Sequence, residues 1–237
     1  MLETRSLSVA IGDKRILNGV DLTLPEGELH VLLGANGSGK SSLLAAIMGL
    51  PPFEVVEGEI LFDGAPIQDL DVHERARLGI GLAYQRPPSL EGVRLRSFAA
   101  ALGAEEALDR EAAALDLTEF LGRDMNVGFS GGEIKRWEIL KLRLQDPRLL
   151  LFDEPESGVD LEHVSAVGDA IRRAVAAPDR AGRVCSGLVI TQTGLILDHV
   201  AADRAHIMKD GRILHSGDAR ALFAHVRDHG YTVPRAA

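Results

Sequence analysis

The sequence contains only one cysteine, Cys185, among its 237 residues. A single thiol cannot form an intrachain disulfide, which excludes a disulfide-stabilised secreted domain and makes a reducing compartment the default. Cys185 also stands alone beside Leu188–Thr191, an apolar segment typical of a buried strand. We therefore expect a packed core cysteine, with no role as a cluster or metal ligand, in a cytoplasmic protein.

Long hydrophobic runs and an excess of positive charge are also missing. A membrane-spanning helix needs about 18 apolar residues, and the nearest candidate, Gly187–Ala202, is interrupted by Gln192 and Asp198. The formal net charge of −9 disfavours nucleic acid and anionic membrane surfaces as partners. Met1–Arg5 includes an acid and precedes no apolar segment, unlike a signal peptide. The sequence thus predicts no direct membrane insertion and no nucleic-acid partner. No internal repeat or low-complexity linker divides residues 1–237, which favours a single domain.

The sequence does contain a glycine-rich loop between an apolar strand and a helix. Residues 34–42 fit the pattern G-x-x-x-x-G-K-[ST], follow the apolar run Leu29–Leu33 and precede an apolar helical stretch. Glycines without a Cβ allow main-chain amides to surround a phosphate, and the helix start adds unpaired amides. Lys40 would reach the β- and γ-phosphates, and the Ser41 hydroxyl would ligate Mg²⁺. The predicted nucleotide-binding residues of this loop are Gly34, Ala35, Asn36, Gly37, Ser38, Gly39, Lys40, Ser41 and Ser42.

The remaining pattern predicts an α/β fold. Alternating apolar residues before Gly12 and before Pro25 indicate antiparallel strands with one buried face. Further strands and helices then alternate, as in a parallel sheet. The other predicted strands are Gly58–Gly64, Gly81–Tyr84, Leu149–Phe152, Leu188–Thr191 and a hairpin within 207–214. The predicted helices are 71–77, 131–145, 161–177, 195–202 and one from about 218. Residues 94–124 are rich in Ala, Leu and Glu with helical spacing, which fits either a helical insert or a plain surface helix pair.

Two acidic residues, Asp153 and Glu154, follow the buried strand Leu149–Phe152. Ligands bind at the carboxyl ends of strands in an open α/β sheet, so these carboxylates should share an edge with the glycine-rich loop. A second anion site is predicted at Ser130, where the amides of Gly131 and Gly132 begin a helix. One nucleotide hardly needs two phosphate sites in one chain.

Taken together, these motifs resemble the ATP-binding cassette (ABC) ATPase family over essentially the whole chain. Residues 34–42 look like the Walker A loop and Gln85 like the Q-loop glutamine. The signature, the Walker B motif with its following glutamate, and the D-loop are matched by Phe129–Glu133, Leu149–Glu154 and Ser157–Asp160. The resemblance implies a P-loop NTPase core with a parallel sheet and an N-terminal antiparallel β subdomain, formed by 1–93 and 127–237. It also implies a small α-helical subdomain at 94–126.

The resemblance also assigns roles in phosphoryl transfer, where a protein mainly positions groups and neutralises charge. Ser41, Gln85 and Asp153 would hold Mg²⁺, and Glu154 would act as a general base or orient water. For Glu154 a helix N-terminal carboxylate before Pro155 is the structural alternative. The signature residues Ser130, Gly131, Gly132 and Glu133, with Asp160 of the D-loop, would face ATP held by another subunit. The implied assembly is an ATP-dependent, head-to-tail homodimer with two ATP molecules.

The sequence departs from the family pattern in three places. No aromatic residue lies near Ile11 to stack on adenine, and the signature ends in Glu133 where glutamine is commoner. Gln192 occupies the place of the switch histidine. A neutral glutamine can hydrogen-bond a phosphate oxygen, but it can neither carry positive charge nor exchange a proton. We expect ATP binding to survive and hydrolysis to be slowed, with Gln192 still a catalytic candidate.

Within the family, the chain is most similar to SufC-type ATPases of SUF iron–sulfur cluster assembly. The stretches that carry this similarity are Gln85–Val93, Gly128–Arg136 with Glu138–Leu140, Asp153–Asp160 and Gly230–Tyr231. It implies a SufB- or SufD-like scaffold as partner. One alternative is the nucleotide-binding subunit of an ABC transporter, whose partner is a transmembrane permease. A second alternative is a regulatory ATP-binding module with low turnover. The motifs alone do not separate these functions.

Overall fold

The computed structural model describes residues 1–234. Within them the strands are β1 (Leu2–Ile11), β2 (Lys14–Leu24), β3 (Leu29–Leu33), β4 (Glu54–Phe62), β5 (Ala65–Pro66), β6 (Ile80–Ala83), β7 (Leu90–Arg94), β8 (Asp124–Met125), β9 (Leu149–Asp153), β10 (Ser186–Thr191), β11 (Arg204–Lys209) and β12 (Arg212–Asp218). The helices are α1 (Lys40–Met48), α2 (Val72–Arg77), α3 (Leu95–Ala101), α4 (Glu105–Ala114), α5 (Gly131–Gln145), α6 (Leu161–Ala176) and α7 (Ala219–His229). Short 3₁₀ turns cover Thr118–Phe120 and Leu195–Asp198.

The main sheet has the strand order β12-β11-β3-β10-β9-β6. Its strands run parallel except β12, which pairs antiparallel with β11. Helices cover both faces, so β3 is buried along its whole length, as its continuous apolar sequence predicted. The carboxyl ends of β3, β9 and β10 meet at one edge, which confirms the predicted α/β class and brings Asp153 beside the glycine-rich loop.

A second, antiparallel sheet has the order β2-β1-β4-β5. Its inward side chains alternate with exposed ones: Val20, Leu22 and Leu24 are buried, whereas Asp21 and Thr23 are exposed. This sheet packs with α1 against one face of the main sheet in a core that includes Leu32 and Ile190. The predicted N-terminal antiparallel β subdomain is therefore confirmed. β4 begins at Glu54, earlier than predicted, because it pairs with the far end of β1.

Residues 94–124, predicted to form either a helical insert or a surface helix pair, contain two helices, but helical structure does not extend over the whole segment. α3 and α4 are short, Gly103 turns the chain between them with φ of 60°, and β7 pairs with β8 at the base of the segment. Leu102 is 37% exposed, whereas Leu115 and Leu117 are buried outside any helix. Helical spacing therefore misassigned apolar residues that contribute to the core from turns. The subdomain boundaries, 94–126 against 1–93 and 127–237, remain a prediction.

The predicted helix over 195–202 was also wrong. Only the 3₁₀ turn Leu195–Asp198 forms, and the chain then enters β11 at Arg204. The Asp203 carboxylate accepts a hydrogen bond from the main-chain N–H of Leu29, which fixes the extended approach to the sheet. No helix within residues 1–234 is long and apolar enough to cross a membrane.

Candidate nucleotide-binding site

The glycine-rich loop leaves β3 at Leu33 and enters α1 at Lys40. Gly37 and Gly39 have φ of 77° and 107°, a region that glycine adopts without a steric penalty. Gly34 is required for a different reason, because a Cβ there would lie 2.5 Å from the Met208 carbonyl oxygen and 2.6 Å from Ser38 Oγ. Conformation therefore favours glycine at positions 37 and 39, and the lack of space for a Cβ requires it at position 34.

The turn between β11 and β12 supports the glycine-rich loop through a main-chain hydrogen bond. The main-chain N–H of Gly211 donates to the Ser38 carbonyl oxygen at 2.9 Å, and its own carbonyl accepts from the N–H of Asn18, also at 2.9 Å. A Cβ on Gly211 would overlap the Ile16 carbonyl. The sequence predicted the Asp210–Gly211 hairpin turn but gave no signal that it contacts a loop more than 170 residues earlier.

Lys40 is buried at the base of the loop. Its Nζ donates hydrogen bonds to the carbonyls of Gly34, at 2.7 Å, and Ala35, at 3.1 Å, and lies 3.8 Å from Glu154 Oε1. Burial lowers the pKa of Lys40, an effect that the nearby carboxylates of Glu154 and Asp153 oppose. A phosphate entering the loop would meet a cation already fixed in position.

Ser41 and Asp153 provide the oxygen ligands expected for a magnesium ion. Ser41 Oγ donates to Asp153 Oδ1 at 3.1 Å, which brings a hydroxyl from the start of α1 against a carboxylate at the end of β9. Burial raises the pKa of Asp153, and the Ser41 hydrogen bond opposes this shift. Hard oxygen donors with space for phosphate oxygens and water suit Mg²⁺. Both residues could hold the ion, which would offset phosphate charge when bound.

Gln85 and Glu154 hydrogen-bond to each other rather than to Ser41 or Asp153. Gln85 Nε2 donates to Glu154 Oε2 at 2.7 Å and to Ser157 Oγ at 3.2 Å. Glu154 adopts φ of 44°, a rare conformation for a residue with a side chain, and its N–H donates to the Ile190 carbonyl. α6 begins only at Leu161, so Glu154 is not a helix-capping carboxylate. Gln85 makes no hydrogen bond to Ser41 or Asp153 here, and its predicted metal role remains a prediction.

Lys135 is a site residue that sequence reasoning did not assign a role. It is buried in α5, and its Nζ donates to the main-chain oxygens of Gln85, at 2.8 Å, and Glu154, at 3.1 Å. A signal was present: Lys135 and Glu138 share the buried stripe of α5 with Ile139 and Leu142, where charged residues need partners. Lys135 thus ties the Gln85 loop to the end of β9.

The predicted signature lies apart from the glycine-rich loop. Ser130 caps α5, where its Oγ accepts from the N–H of Glu133 and the Glu133 carboxylate accepts from the N–H of Ser130 at 2.7 Å. Gly131 packs directly against the Gly158 carbonyl of the predicted D-loop, with no room for a Cβ. Asp160 precedes α6 and is exposed. Ser130, Gly131 and Gly132 are not among the residues that line the cleft around the glycine-rich loop.

Gln192 follows β10 and reaches the same cleft as the loop. This cleft has a volume of about 500 Å³. Its lining residues are Asn36, Gly37, Gly39, Lys40, Ser41, Ser42, Gln85, Arg86, Glu154, Ser157 and Gln192. One polar cleft thus joins the phosphate loop, a carboxylate and two glutamines.

Comparisons with known proteins agree with this geometry. Residues 17–157 match the family model described as "ABC transporter". The chain is 41% identical to a "probable ABC transporter ATP-binding protein" of Streptococcus pyogenes serotype M18, with 98% of this chain and 93% of the relative covered. It is 36% identical to a "probable ATP-dependent transporter" of Synechocystis sp. PCC 6803, covering 98% and 94%.

Solved structures show the same fold. A bacterial ABC transporter cassette crystallised as a dimer has a TM-score of 0.75 and 23% identity, with 93% of this chain and 99% of that chain covered. Another ABC transporter cassette, in its ADP conformation, has a TM-score of 0.77 and 21% identity, covering 97% and 95%. The family match, the relatives and the cleft agree: the chain belongs to the ABC transporter family, as a subunit that binds ATP with Mg²⁺ and hydrolyses it.

Proposed function

We propose that this chain is the ATP-driven subunit of an ABC system, dimerises when it binds ATP and transmits the change to a partner protein. The observation that carries the proposal is the separation of two halves of a phosphate site. Lys40, Ser41 and Glu154 share one cleft, whereas Ser130 starts a helix outside it. A head-to-tail second copy would supply its signature to each cleft.

In this proposal Lys40 and the loop amides bind the phosphates, and Glu154 orients the attacking water. Mg²⁺, held by Ser41 and Asp153, supplies charge neutralisation when it is bound. Gln192 hydrogen-bonds the γ-phosphate. Gln85 transmits the effect of a bound γ-phosphate to the segment that follows Gln85 in the chain. The signature residues and Asp160 face the ATP of the other copy.

Dimerisation is tested by light scattering on the Glu154→Gln variant, which should retain ATP but cleave it slowly. We expect the mass to double with saturating Mg-ATP and to remain that of a monomer with Mg-ADP. Ser130→Arg in the same background is the matched control, because a bulky cation should block the second copy without touching the cleft. A Glu154→Gln protein that binds Mg-ATP yet stays monomeric would contradict the head-to-tail arrangement.

For the partner, we propose a transmembrane permease. The relatives reported above are named as transporter proteins, and they match nearly the full length of this chain, which supports this choice. The permease would dock near Arg86–Phe98, because this stretch directly follows Gln85 and joins the core to the helical segment. Pro87 and Pro88 restrict the chain there, so movement at Gln85 would be passed on rather than absorbed.

A SufB- or SufD-like scaffold is the second candidate partner. Two features support this candidate. One is the SufC-like stretch from Gln85 to Val93, and the other is the buried Lys135, which donates to the main-chain oxygen of Gln85. This role, in a SufC-like subunit, would use the same ATP-driven motor on a cytoplasmic assembly. Neither candidate requires this chain to bind a cluster, and Cys185 is buried.

Co-expression distinguishes the two candidate partners. Each permease or scaffold gene that lies beside the gene for this chain is co-expressed with it, and the products are tested for copurification and ATPase activity. We expect stimulation of hydrolysis by the permease alone. Stimulation by the scaffold alone would overturn the transporter assignment, and turnover that neither partner raises would favour the low-turnover regulatory module.

Charge reversal at Arg94 and Arg96 tests the docking surface, since both residues are exposed. The control is charge reversal at Arg212, which is exposed on the opposite edge strand.

A further inference from the structure

We propose that Glu156 is a positioning residue for Gln192, holding the loop Thr191–Leu195 at a fixed place relative to Glu154. This inference rests on the proposed role of Gln192 at the γ-phosphate. Glu156 is 6% exposed and lies two residues after Glu154. It is not among the residues that line the cleft, so the cleft itself assigns it no part in nucleotide binding.

Two threonines on either side of Gln192 bond to the same carboxylate oxygen. Thr191 Oγ1 donates to Glu156 Oε1, and Thr193 Oγ1 donates to that atom at 2.9 Å. Both hydroxyls then accept from the main chain beyond: the N–H of Gly194 reaches Thr191 Oγ1 at 2.9 Å and the N–H of Leu195 reaches Thr193 Oγ1 at 3.3 Å. The carboxylate is therefore the centre of a network that fixes this loop's main chain.

The same loop is held on its other side by the chain after α7. The Tyr231 hydroxyl donates to the Gln192 carbonyl oxygen. Gly194 packs against the Phe223 ring so closely that a Cβ would overlap it. Gln192 therefore lies on a main chain anchored from two directions, and the residue is exposed.

Anchoring matters because Gln192 is neutral. A glutamine gains less from a phosphate oxygen than a charged histidine would, and a weaker hydrogen bond tolerates less misplacement. Only Pro155 separates Glu154 from Glu156, so the network also keeps Gln192 in register with the carboxylate proposed to orient water. Loss of the network should impair the chemical step more than ATP binding, because the affected contact forms at the γ-phosphate.

Single-turnover hydrolysis and fluorescent-nucleotide binding test this inference on the full chain. We expect Glu156→Ala to slow hydrolysis by about fivefold or more. This is the rate change that corresponds to losing roughly one hydrogen bond in the transition state. ATP affinity should change by less than about twofold. Glu156→Gln should restore most of the rate, because its amide oxygen can accept from both threonines. A rate for Glu156→Ala equal to that of the parent would overturn the inference.

Two further variants guard against misfolding as the explanation. Thr193→Val removes the hydroxyl that donates to Glu156 and accepts from the N–H of Leu195, while Glu156 itself stays in place, so it should slow hydrolysis even if Glu156→Ala does not fold. Thr4→Val is the control for loss of a threonine hydroxyl that both donates and accepts: Thr4 is buried, donates to the Val20 carbonyl at 2.9 Å and accepts from the N–H of Leu22 at 3.0 Å, and it does not line the cleft. It should lower stability but not the rate per folded molecule. Equal rate losses in both threonine variants would overturn the inference.

Gln192→Ala separates this inference from the function on which it rests. If Gln192→Ala hydrolyses ATP at the parent rate, the proposed role of Gln192 is wrong and the positioning role falls with it. If Gln192→Ala is slow, the double variant with Glu156→Ala should be no slower than Gln192→Ala alone, because both act through one contact. Additive losses would show that Glu156 acts independently of Gln192, which contradicts the inference alone.

Discussion

Gln85 donates its amide to the carboxylate of Glu154, with Nε2 and Oε2 2.7 Å apart. The residue predicted to ligate the metal thus holds the group proposed to orient water. The Glu154 Oε2 site that accepts from Gln85 is not available to a water until this contact shifts, whereas Oε1 lies 3.8 Å from Lys40 Nζ. If bound Mg-ATP draws the Gln85 side chain to the metal, as its predicted role requires, this contact would break, and Glu154 would be coupled to the segment where a partner is proposed to dock.

Lys40→Ala should lose most ATP affinity, whereas Glu154→Gln should keep it. A charge-assisted hydrogen bond is worth about 1.5–3 kcal/mol, so Lys40→Ala should weaken binding by roughly 10- to 150-fold. Glu154 is used in the reaction, so its glutamine variant should instead slow hydrolysis. Calorimetric titration with ATP and a steady-state assay check both expectations. Equal losses of affinity in the two variants would show that the roles are assigned wrongly.

Lys135→Met should destabilise the fold and slow hydrolysis together. The variant leaves the carbonyls of Gln85 and Glu154 without their shared donor, at a cost of about 1–3 kcal/mol for each buried group. Thermal unfolding and single-turnover hydrolysis measure the two effects. Lys14→Met, at the exposed first residue of β2, is the control and should change neither. A Lys135→Met protein as active as the parent would contradict a link through this lysine.

Gln192→His should raise kcat with little change in ATP affinity. A charged donor to the γ-phosphate exceeds a neutral one by about 1 kcal/mol, or roughly five- to tenfold in rate. The network around Glu156 would hold the histidine main chain in the same place. Single-turnover hydrolysis with the partner present is the measurement. An unchanged or slower rate would show that the site works with glutamine as it stands, and that slow hydrolysis should not be expected from this residue.

Stability should fall below pH 6.5 because of a buried histidine pair. His206 Nε2 lies 3.0 Å from His30 Nδ1, and burial together with its neighbour lowers the pKa of His206 to about 3. The unfolded chain therefore binds a proton near pH 6.5 that the folded chain excludes, so stability is full above that pH and falls on acidification. The loss amounts to about 2 kcal/mol between pH 7 and pH 5.

Chemical unfolding of His206→Gln at these two pH values checks this expectation. The variant should be less stable than the parent at pH 7 but should lose about 2 kcal/mol less on acidification. His73→Gln, at an exposed histidine, should keep the parent's pH dependence. If His206→Gln loses as much stability as the parent, another group controls the acid response.

The sequence predicted elements and site residues whose signal is local. The loop around Lys40 and the carboxylates after β9 depend on short patterns, and the edge they share follows from parallel strands. The contacts of Lys135 and Glu156 could not be predicted in the same way, because each joins segments that only the folded chain brings together. The predicted helix over 195–202 failed for a related reason: its apolar residues pack from a turn, and Asp203 is drawn to Leu29 by tertiary contact.

The support of the glycine-rich loop by the β11–β12 turn has a consequence for biosynthesis. The loop leaves the ribosome early, yet its carbonyl at Ser38 finds the Gly211 N–H only after most of the chain has been made. A nascent chain that ends before this turn would present the loop sequence without its shape and would bind ATP poorly. We therefore expect nucleotide binding to become available late in synthesis, and ATP to stabilise only chains in which both ends of the sequence have already met.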